Sequence, residues 1–374
     1  MTVLLAVAGT VLILVVLLEA FETLILPRRV SRRFRLTRLF LRTTWLLWRR
    51  LAGLARQPNG RENFLSIYGP LSLLALFAVW AAGVVFGYAL ILRWVGGVAV
   101  TGTRGLPAML YVSAGTLFSL GSSWTHTAVG GAQLLIVLEA GTGLGLLALV
   151  IAYLPVLYQS FSRRETNIAI LDERAGSPPT AGELLVRKGT SYPETGAEFL
   201  RDWEHWAAEL LESHLSYPIL GFFRSQHDNQ SWVAALTAIL DSCALVMAGV
   251  EGGGQSQAQL TFAMARHAAV DLAAVFRTPP VRDGGDRLPP EQWARLVGFL
   301  SSRGSRVAER EGTFEALQEL RETYEPYVIA LSERLLMPLP PWIPPDEAID
   351  NWQITACETR PRRFRAPLPT RTPQ

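Results

Sequence analysis

The chain has 374 residues, of which 49% are hydrophobic, and a formal net charge of +3 at pH 7. This charge hides two opposite parts, because residues 1–164 contain 15 Lys+Arg and 4 Asp+Glu, whereas residues 165–374 contain 20 and 28. The first part is basic and membrane-like, and the second is acidic and soluble. Two cysteines, Cys243 and Cys357, are too few for a disulfide framework or a four-cysteine zinc site, and they indicate a reduced, cytosolic setting for the second part.

Three apolar runs are each long enough to cross the roughly 30 Å hydrocarbon layer of a bilayer. Residues 2–26 contain two acidic side chains, residues 63–92 contain no charged residue, and residues 125–162 contain only Glu139. The first run has no positive charge before it and no small-residue cleavage site after it, so we interpret it as an uncleaved anchor. The sequence therefore predicts three transmembrane helices.

The two acidic residues of the first run, Glu19 and Glu22, are three positions apart and share a helix face. Two interpretations stay open for them: ion pairs with the basic residues that follow, or a regulatory proton or ion site. The candidate partners for ion pairs are Arg28, Arg29 and Arg32.

The stretch after the first run contains 11 arginines and no acidic residue over residues 27–61, whereas residues 96–127 contain only Arg104. The positive-inside rule then predicts a cytoplasmic arginine stretch, an outside amino terminus, an outside 96–127 connection and a cytoplasmic domain from residue 163 onward. Leucines at three- and four-residue steps predict an amphipathic helix within residues 28–62, lying on the inner leaflet and attracting anionic lipids. Nucleic-acid binding is not expected, because membrane helices flank the stretch.

The connection between the second and third runs is unusual for an outer loop. Residues 106–120 form a largely apolar run that begins near Pro107, too short to cross a bilayer and too apolar to lie in water. Such a segment is typical of a re-entrant helix, whose irregular end must be buried in protein or face water. Residues 119–124 follow with small hydroxyl side chains and one glycine, so their backbone could turn carbonyl groups toward a cavity.

The order of outer helix, re-entrant helix, short polar stretch and inner helix over residues 63–162 resembles the two-helix pore module of the potassium channel superfamily. The resemblance implies a selectivity filter formed by Ser119, Leu120, Gly121, Ser122 and Ser123. It also implies a pore-helix hydroxyl at Thr116 and a pore-supporting carboxyl at Glu139. Because one module supplies a quarter of a four-fold filter, the resemblance further implies a homotetramer.

The filter is degenerate when it is compared with the family pattern T-x-G-Y-G. Ser122 stands at the tyrosine position, Ser123 at the second glycine and Trp124 at the aspartate that often follows. Filter carbonyls replace the hydration shell of the ion through a backbone that glycine permits. Monovalent cations are therefore the expected ions, with potassium as the candidate, and selectivity stays open.

The inner helix of the resemblance contains "LLIVLEAGTGLGLLAL", in which three glycines follow Glu139. Gly141, Gly143 and Gly145 fall where the family has a gating hinge, and Gly141 and Gly145 also have the spacing of a close helix-packing face. Both interpretations stay open. For Glu139 the alternatives are a role behind the filter and a simple hydrogen bond to the re-entrant helix, both favoured over lipid exposure.

The second part of the chain has a helical pattern throughout and no convincing alternating strand. Helices are predicted at residues 195–214, 230–250, 257–276, 290–302 and 313–336. The buried stripe of the first of them consists of Phe199, Trp203, Trp206, Leu210 and His214. Asp241 is an isolated carboxyl in an apolar helix, and Arg224 is a candidate partner for it.

The sequence therefore predicts an all-α membrane protein with three transmembrane helices, a re-entrant pore helix and an all-helical cytoplasmic domain. The expected parts are residues 1–27 (first helix), 28–62 (interfacial helix), 63–162 (pore module), 163–340 (helical domain) and 341–374 (Pro/Arg-rich tail). We expect a multi-pass, potassium-channel-like channel of the plasma membrane; the alternative is a membrane-anchored helical sensor or scaffold with a vestigial pore. No nucleophile–base pairing, cofactor fingerprint or metal-ligand spacing occurs, so no enzyme activity, cofactor or metal site is predicted.

Overall fold

The fold comes from a computed structural model, in which the described residues form two compact units, within Met1–Ser160 and within Phe161–Gln374. The residues described are 2–26, 35–54, 58–96, 98–100, 105–119, 126–128, 130–187, 193–227, 229–250, 254–305, 307 and 312–345. Almost all regular structure among them is helical, which confirms the predicted helical class.

The first unit is built from long helices and one short ladder. Its elements in chain order are α1 (Thr2–Leu24), α2 (Leu36–Ala52), α3 (Pro58–Val95), β1 (Val98–Val100), α4 (Leu106–Leu117), β2 (His126–Ala128) and the start of α5 (Gly131–Ala175). Helices α1, α3 and α5 are long enough and apolar enough to cross a membrane, as the sequence predicts. The chain is therefore membrane-associated in character, with three candidate spans.

Helices α1 and α3 pack closely through glycines. A Cβ atom at Gly9 of α1 would lie 2.5 Å from the Gly87 carbonyl oxygen of α3, and one at Gly87 would lie 2.6 Å from Ile13. A Cβ atom at Gly83 would lie 2.8 Å from Val16. Gly83 and Gly87 have the G-x-x-x-G spacing that lets two membrane helices bring their backbones together. Sequence analysis did not single out this pair.

Helix α2 falls inside the predicted interfacial segment but is shorter, and it packs on the first turns of α3. The Trp48 ring stacks on Phe64 with centroids 4.4 Å apart, and its indole N–H donates to the Phe64 carbonyl at 3.1 Å. The Tyr68 hydroxyl donates to the Leu41 carbonyl at 3.0 Å. The Trp45 ring contacts Tyr68 edge-on with centroids 4.8 Å apart and is almost completely buried. One face of α2 is therefore a protein-packing face.

The amino terminus of α2 is held by the carboxyl of Glu19. The backbone N–H and the hydroxyl of Thr37 donate to one Glu19 oxygen at 3.0 and 2.9 Å, and a carboxylate there is favoured by the helix dipole. Glu22 lies 3.6 Å from the guanidinium of Arg35. Residues 28, 29 and 32, the partners considered from sequence, lie outside the described residues, and Thr37 and Arg35 are the contacts found.

A short antiparallel ladder closes the connection between α3 and α5. Val98 pairs with Ala128 and Val100 with His126, in a two-stranded sheet that sequence analysis did not predict. The ladder brings together the two ends of the segment that contains α4. The all-helical prediction is therefore correct in class, with this one ladder as an addition.

The second unit is a helical domain around a fully buried, largely apolar central helix. After the end of α5 its helices are α6 (Ala181–Arg187), α7 (Pro193–Ser216), α8 (Trp232–Ala248), α9 (Gln255–Val275), α10 (Pro290–Ser302), α11 (Thr313–Glu322) and α12 (Glu325–Leu335), with a 3₁₀ turn at Pro218–Phe222. Every residue of α8 from Trp232 to Val246 is buried. The predicted stripe on α7 is buried as well: Phe199, Trp203, Trp206, Leu210 and His214.

Two sequence predictions for this unit are wrong. The helix predicted over residues 313–336 is broken between α11 and α12, because Pro326 lies in the first turn of α12 and lacks the N–H that would continue α11. Trp342, assigned to the tail, is buried at 2% exposure, and its carbonyl accepts from the Gly182 N–H at 2.9 Å. The packed domain therefore extends past residue 340.

The partner of Asp241 is Arg287 and not Arg224. The Arg287 guanidinium contacts both Asp241 oxygens at 3.2 and 2.8 Å, and the Tyr324 hydroxyl donates to the same carboxyl at 2.5 Å. Arg224 donates instead to the carbonyls at the end of α12. The loop before α10 carries Arg287 over α8, a long-range contact that spacing along the chain does not reveal.

A buried arginine joins the end of α5 to α7. Arg164 donates to the carbonyls of Leu220 and Phe223 at 2.9 and 2.8 Å, and it lies 3.2 Å from Nε2 of His214. Nδ1 of His214 lies 2.8 Å from the Leu210 carbonyl. A neutral imidazole that donates from Nδ1 and accepts at Nε2 satisfies both contacts.

Candidate functional site

The site predicted from sequence is the segment between α3 and α5, and the helix described within it is α4. The helix begins after Gly105, which has a φ of +77° and lies next to Arg93 near the end of α3. Pro107 occupies the first turn, as predicted, where its missing N–H costs no hydrogen bond. Helix α4 therefore starts at the level where α3 ends.

Helix α4 packs along α3 and α5 through buried apolar side chains. Ala108, Met109 and Val112 form one cluster with Ala89 and Leu92 of α3 and with Ala132 of α5. At its other end Leu117 joins a second cluster that contains Val84 and Tyr88 of α3. The helix is thus buried along much of its length and does not lie as a loop on the surface of the unit.

Ser113 is the polar centre of this packing and contacts both neighbouring helices. Its hydroxyl oxygen lies 2.8 Å from the Val85 carbonyl of α3 and in short hydrogen-bond contact with Oε1 of Glu139 on α5. Ser113 and Glu139 are both fully buried. Glu139 therefore faces protein and not lipid, and three helices meet at one serine.

The number of protons available constrains the protonation state of Glu139. A serine hydroxyl has one proton and the Val85 carbonyl can only accept, so a protonated Glu139 that donates to Ser113 gives each contact a proton of its own. Oε2 of Glu139 has no hydrogen-bond partner among the described residues. A charged carboxylate in such a place is costly, and a neutral acid fits the donors and acceptors present.

The end of α4 approaches α5 at a glycine. A Cβ atom at Gly143 would lie 2.5 Å from the Leu117 carbonyl oxygen, closer than any real side chain permits. At Gly141 and Gly145 nothing within the described part of the chain lies within 4 Å of such an atom. The three glycines therefore differ: among the described residues, a close contact within one chain requires a glycine at Gly143 and not at Gly141 or Gly145.

Two of the hydroxyl residues predicted for the pore helix and filter lie at the end of α4. The Thr116 hydroxyl donates to the Val112 carbonyl at 2.9 Å, one turn back in the same helix. Ser119 is exposed and has a φ of +54°, and its N–H donates to the Thr116 carbonyl at 3.1 Å. This left-handed residue ends the helix as a glycine usually does. The remaining filter predictions, at Leu120, Gly121, Ser122 and Ser123, lie outside the described residues.

Further contacts of the site were missed from sequence. The Tyr88 hydroxyl of α3 and the Thr142 hydroxyl of α5 lie 3.0 Å apart, one helical turn from Glu139.

Comparison with family models, with curated proteins and with solved structures finds no match to this chain. Function is therefore inferred from the geometry of the site.

A signal for Ser113 does exist in the sequence. A lone serine in the middle of a short apolar helix needs a hydrogen-bond partner when it is buried, and Glu139 is the single acidic residue of residues 125–162. The Val85 carbonyl carries no such signal, because the exposure of a backbone group depends on how the helices cross. No group of three or more His, Cys, Asp or Glu side chains that could hold a metal ion occurs in the described ranges.

Proposed function

We propose that the chain is one subunit of a homotetrameric ion channel, similar to the potassium channel superfamily, that passes monovalent cations. In this proposal α3 is the outer helix, α4 the re-entrant pore helix and α5 the inner helix. Residues 119–123 supply the filter. The observation that carries the proposal is the contact between the end of α4 and Gly143 of α5.

This contact indicates how deep α4 reaches. At about 1.5 Å per residue, Gly143 lies about 18 Å along α5 from Gly131, and Val85 lies about 15 Å from the end of α3 at Val95. The hydrocarbon layer is roughly 30 Å thick. A helix that starts level with the end of α3 and ends beside Gly143 supports a segment that enters the membrane to about half its depth.

Ser119, which ends α4 in a left-handed conformation, would then lie at membrane depth. Non-helical backbone at membrane depth is tolerated where protein buries it or where it lines a water-filled cavity. Four copies around an axis would supply such a cavity and a ring of filter carbonyls. Ser122 and Ser123 replace the family's tyrosine and glycine, so we propose a pore for monovalent cations with potassium as a candidate and no committed selectivity.

The proposed topology follows the charges of the sequence. The arginine stretch that contains α2 is cytoplasmic, the amino terminus and the 96–127 connection lie outside, and the second unit is cytoplasmic at the plasma membrane. In this orientation the ladder of β1 and β2 lies at the outer mouth of the pore. The second unit, around α8, is the part in which a gating stimulus would be sensed.

Flux through purified protein tests the proposal. Full-length protein is reconstituted into liposomes, and uptake of potassium, sodium and a large organic cation is measured by fluorescence over several lipid compositions and pH values. We expect uptake of at least one alkali cation, exclusion of the organic cation and four-fold symmetry in particle images. Absence of flux under all conditions, with a monomeric particle, would contradict the channel and favour the sensor or scaffold alternative.

A further inference from the structure

Helix α2 has a second apolar face that nothing in the described part of the chain covers. Its exposed leucines are Leu39 (47% exposed), Leu46 (39%), Leu47 (60%) and Leu51 (44%), and Leu54 just after the helix is 78% exposed. The opposite face, with Trp45 and Trp48, packs on α3. A soluble helix has one apolar face, so the exposed leucines need a different apolar environment.

The same helix carries exposed positive charge beside the leucines. Arg42, Arg49 and Arg50 are exposed, and no acidic residue occurs anywhere in residues 27–61. Arg42 and Arg49 are seven positions apart, so they share one side of the helix next to the leucine face. An apolar face bordered by arginines is complementary to a layer that has apolar chains below and negative headgroups above.

Measured along the helices, the attachment points of α2 lie about one bilayer thickness from the far ends of the apolar runs 2–26 and 63–92. Glu19, which holds the start of α2, lies about 26 Å along α1 from Thr2, and Tyr68, which packs on its middle, lies about 36 Å from Leu92 of α3. Both values are near the roughly 30 Å hydrocarbon thickness. The two anchors therefore hold α2 at one boundary of the membrane.

From these observations we infer that the leucine face of α2 binds an anionic lipid leaflet. The leucines enter the boundary between headgroups and acyl chains, and Arg42, Arg49 and Arg50 contact lipid phosphates. The inference does not depend on ion conduction, because it concerns a surface remote from α4. Through the stacked Trp48 and Phe64, lipid contacts of α2 act directly on the first turns of α3.

Spin labelling of full-length protein tests the apolar contact. Cys357 is replaced by serine, Cys243 is buried, and a nitroxide is attached at Leu47→Cys or, as a matched control, at Leu260→Cys on α9, which is 55% exposed. In phosphatidylcholine–phosphatidylglycerol vesicles we expect the label at position 47 to collide with dissolved oxygen more than with a water-soluble nickel complex, and the label at 260 to show the reverse. Equal nickel accessibility at both positions, or dipolar coupling between copies at 47 without oxygen accessibility, would overturn the inference.

Lipid selectivity tests the charges. The relative association of spin-labelled phosphatidylglycerol over phosphatidylcholine is measured for the parent protein and for the triple variant Arg42→Gln, Arg49→Gln, Arg50→Gln. We expect the preference to fall roughly fivefold for each arginine that contacts the leaflet. A control variant with Arg201→Gln, Arg282→Gln and Arg295→Gln in the second unit should keep the preference. If the α2 triple variant and the control variant had the same preference for phosphatidylglycerol, the assignment of these arginines to the lipid leaflet would be wrong.

Discussion

Ser113 and Glu139 are joined by a hydrogen bond, and because the Ser113 hydroxyl also faces the Val85 carbonyl, a protonated carboxyl gives each of the two contacts its own proton. Ser113 therefore links three helices. The contact has no charged neighbour on the facing helices: α4 has none, residues 63–92 have none, and Glu139 is alone over residues 125–162. The Tyr88 hydroxyl of α3 lies 3.0 Å from the Thr142 hydroxyl of α5.

Replacing Glu139 by glutamine should preserve this arrangement. The glutamine amide can donate to Ser113 as the protonated acid does, so we expect Glu139→Gln to unfold at nearly the parent temperature at pH 7. Glu139→Ala leaves a cavity and removes the donor, at a cost of about 1–3 kcal/mol. Thermal unfolding of the purified protein in detergent measures both. A Glu139→Gln protein as unstable as Glu139→Ala would mean that the ionised form is the native one.

The three glycines of α5 should differ in their tolerance of a methyl group. Gly143→Ala places a carbon against the Leu117 carbonyl, so we expect a loss of about 1–3 kcal/mol from overpacking. Gly141→Ala meets nothing within the described part of its own chain and should be neutral, or more stable by up to about 1 kcal/mol, because alanine is the better helix former. Unfolding temperatures in detergent test the pair, and the reverse order would contradict the packing of α4 on α5.

The left-handed conformation of Ser119 predicts opposite effects of two substitutions. Ser119→Gly should stabilise the end of α4 by about 1 kcal/mol, because glycine has no penalty at a φ of +54°. Ser119→Val should destabilise it, since a β-branched side chain is an outlier in this region. The comparison uses thermal unfolding of the two variants side by side. Equal stability of the valine and glycine proteins would exclude a left-handed Ser119.

His214 should make the second unit sensitive to acid. Burial, and then the Arg164 guanidinium, hold the pKa of His214 well below its usual value. The unfolded chain therefore binds this proton first as the pH falls below about 6.5, and stability decreases by up to about 1.4 kcal/mol per pH unit. Unfolding of the second unit, followed by circular dichroism from pH 7.5 to 5.5, measures the slope.

A matched variant separates this effect from other titrating groups. His214→Gln keeps an acceptor for Arg164 but takes up no proton, so its stability should change less with pH over the same range. His267→Gln, at a histidine with a 62% exposed side chain, should keep the parent slope. Parallel pH curves for all three proteins would assign the acid sensitivity to other groups.

The sequence predicts the long helices well because a bilayer-length apolar run has few alternative structures. It also places α10 at the observed bounds, since Pro290 and the glycine after the helix mark both ends. The break at Pro326 was missed because the apolar pattern of residues 313–336 continues through it. The ladder of Val98–Val100 with His126–Ala128 was missed because three-residue strands lie below the length at which alternation is visible.

Part of the site is predictable from the sequence. The predictable part depends on interactions between residues that are close along the chain, and the rest depends on contacts between helices. Pro107 was identified because helix-start signals are local, whereas Thr116 was assigned through the resemblance to a pore helix. The partner of Glu139 and the special position of Gly143 depend on how α4 crosses α3 and α5, which spacing along one helix does not contain. For the same reason Asp241 was recognised as needing a partner, but Arg224 was chosen where the fold brings Arg287.

The glycine contact of α1 with α3 also sets an order of events during synthesis. Helix α1 leaves the ribosome first, when its partner surface at Gly83 and Gly87 has not yet been made. Because α2 follows α1 directly in the chain, Thr37 is synthesised before Gly83 and Gly87. We therefore expect Glu19 to acquire its contact with α2 earlier than Gly9 acquires its contact with α3.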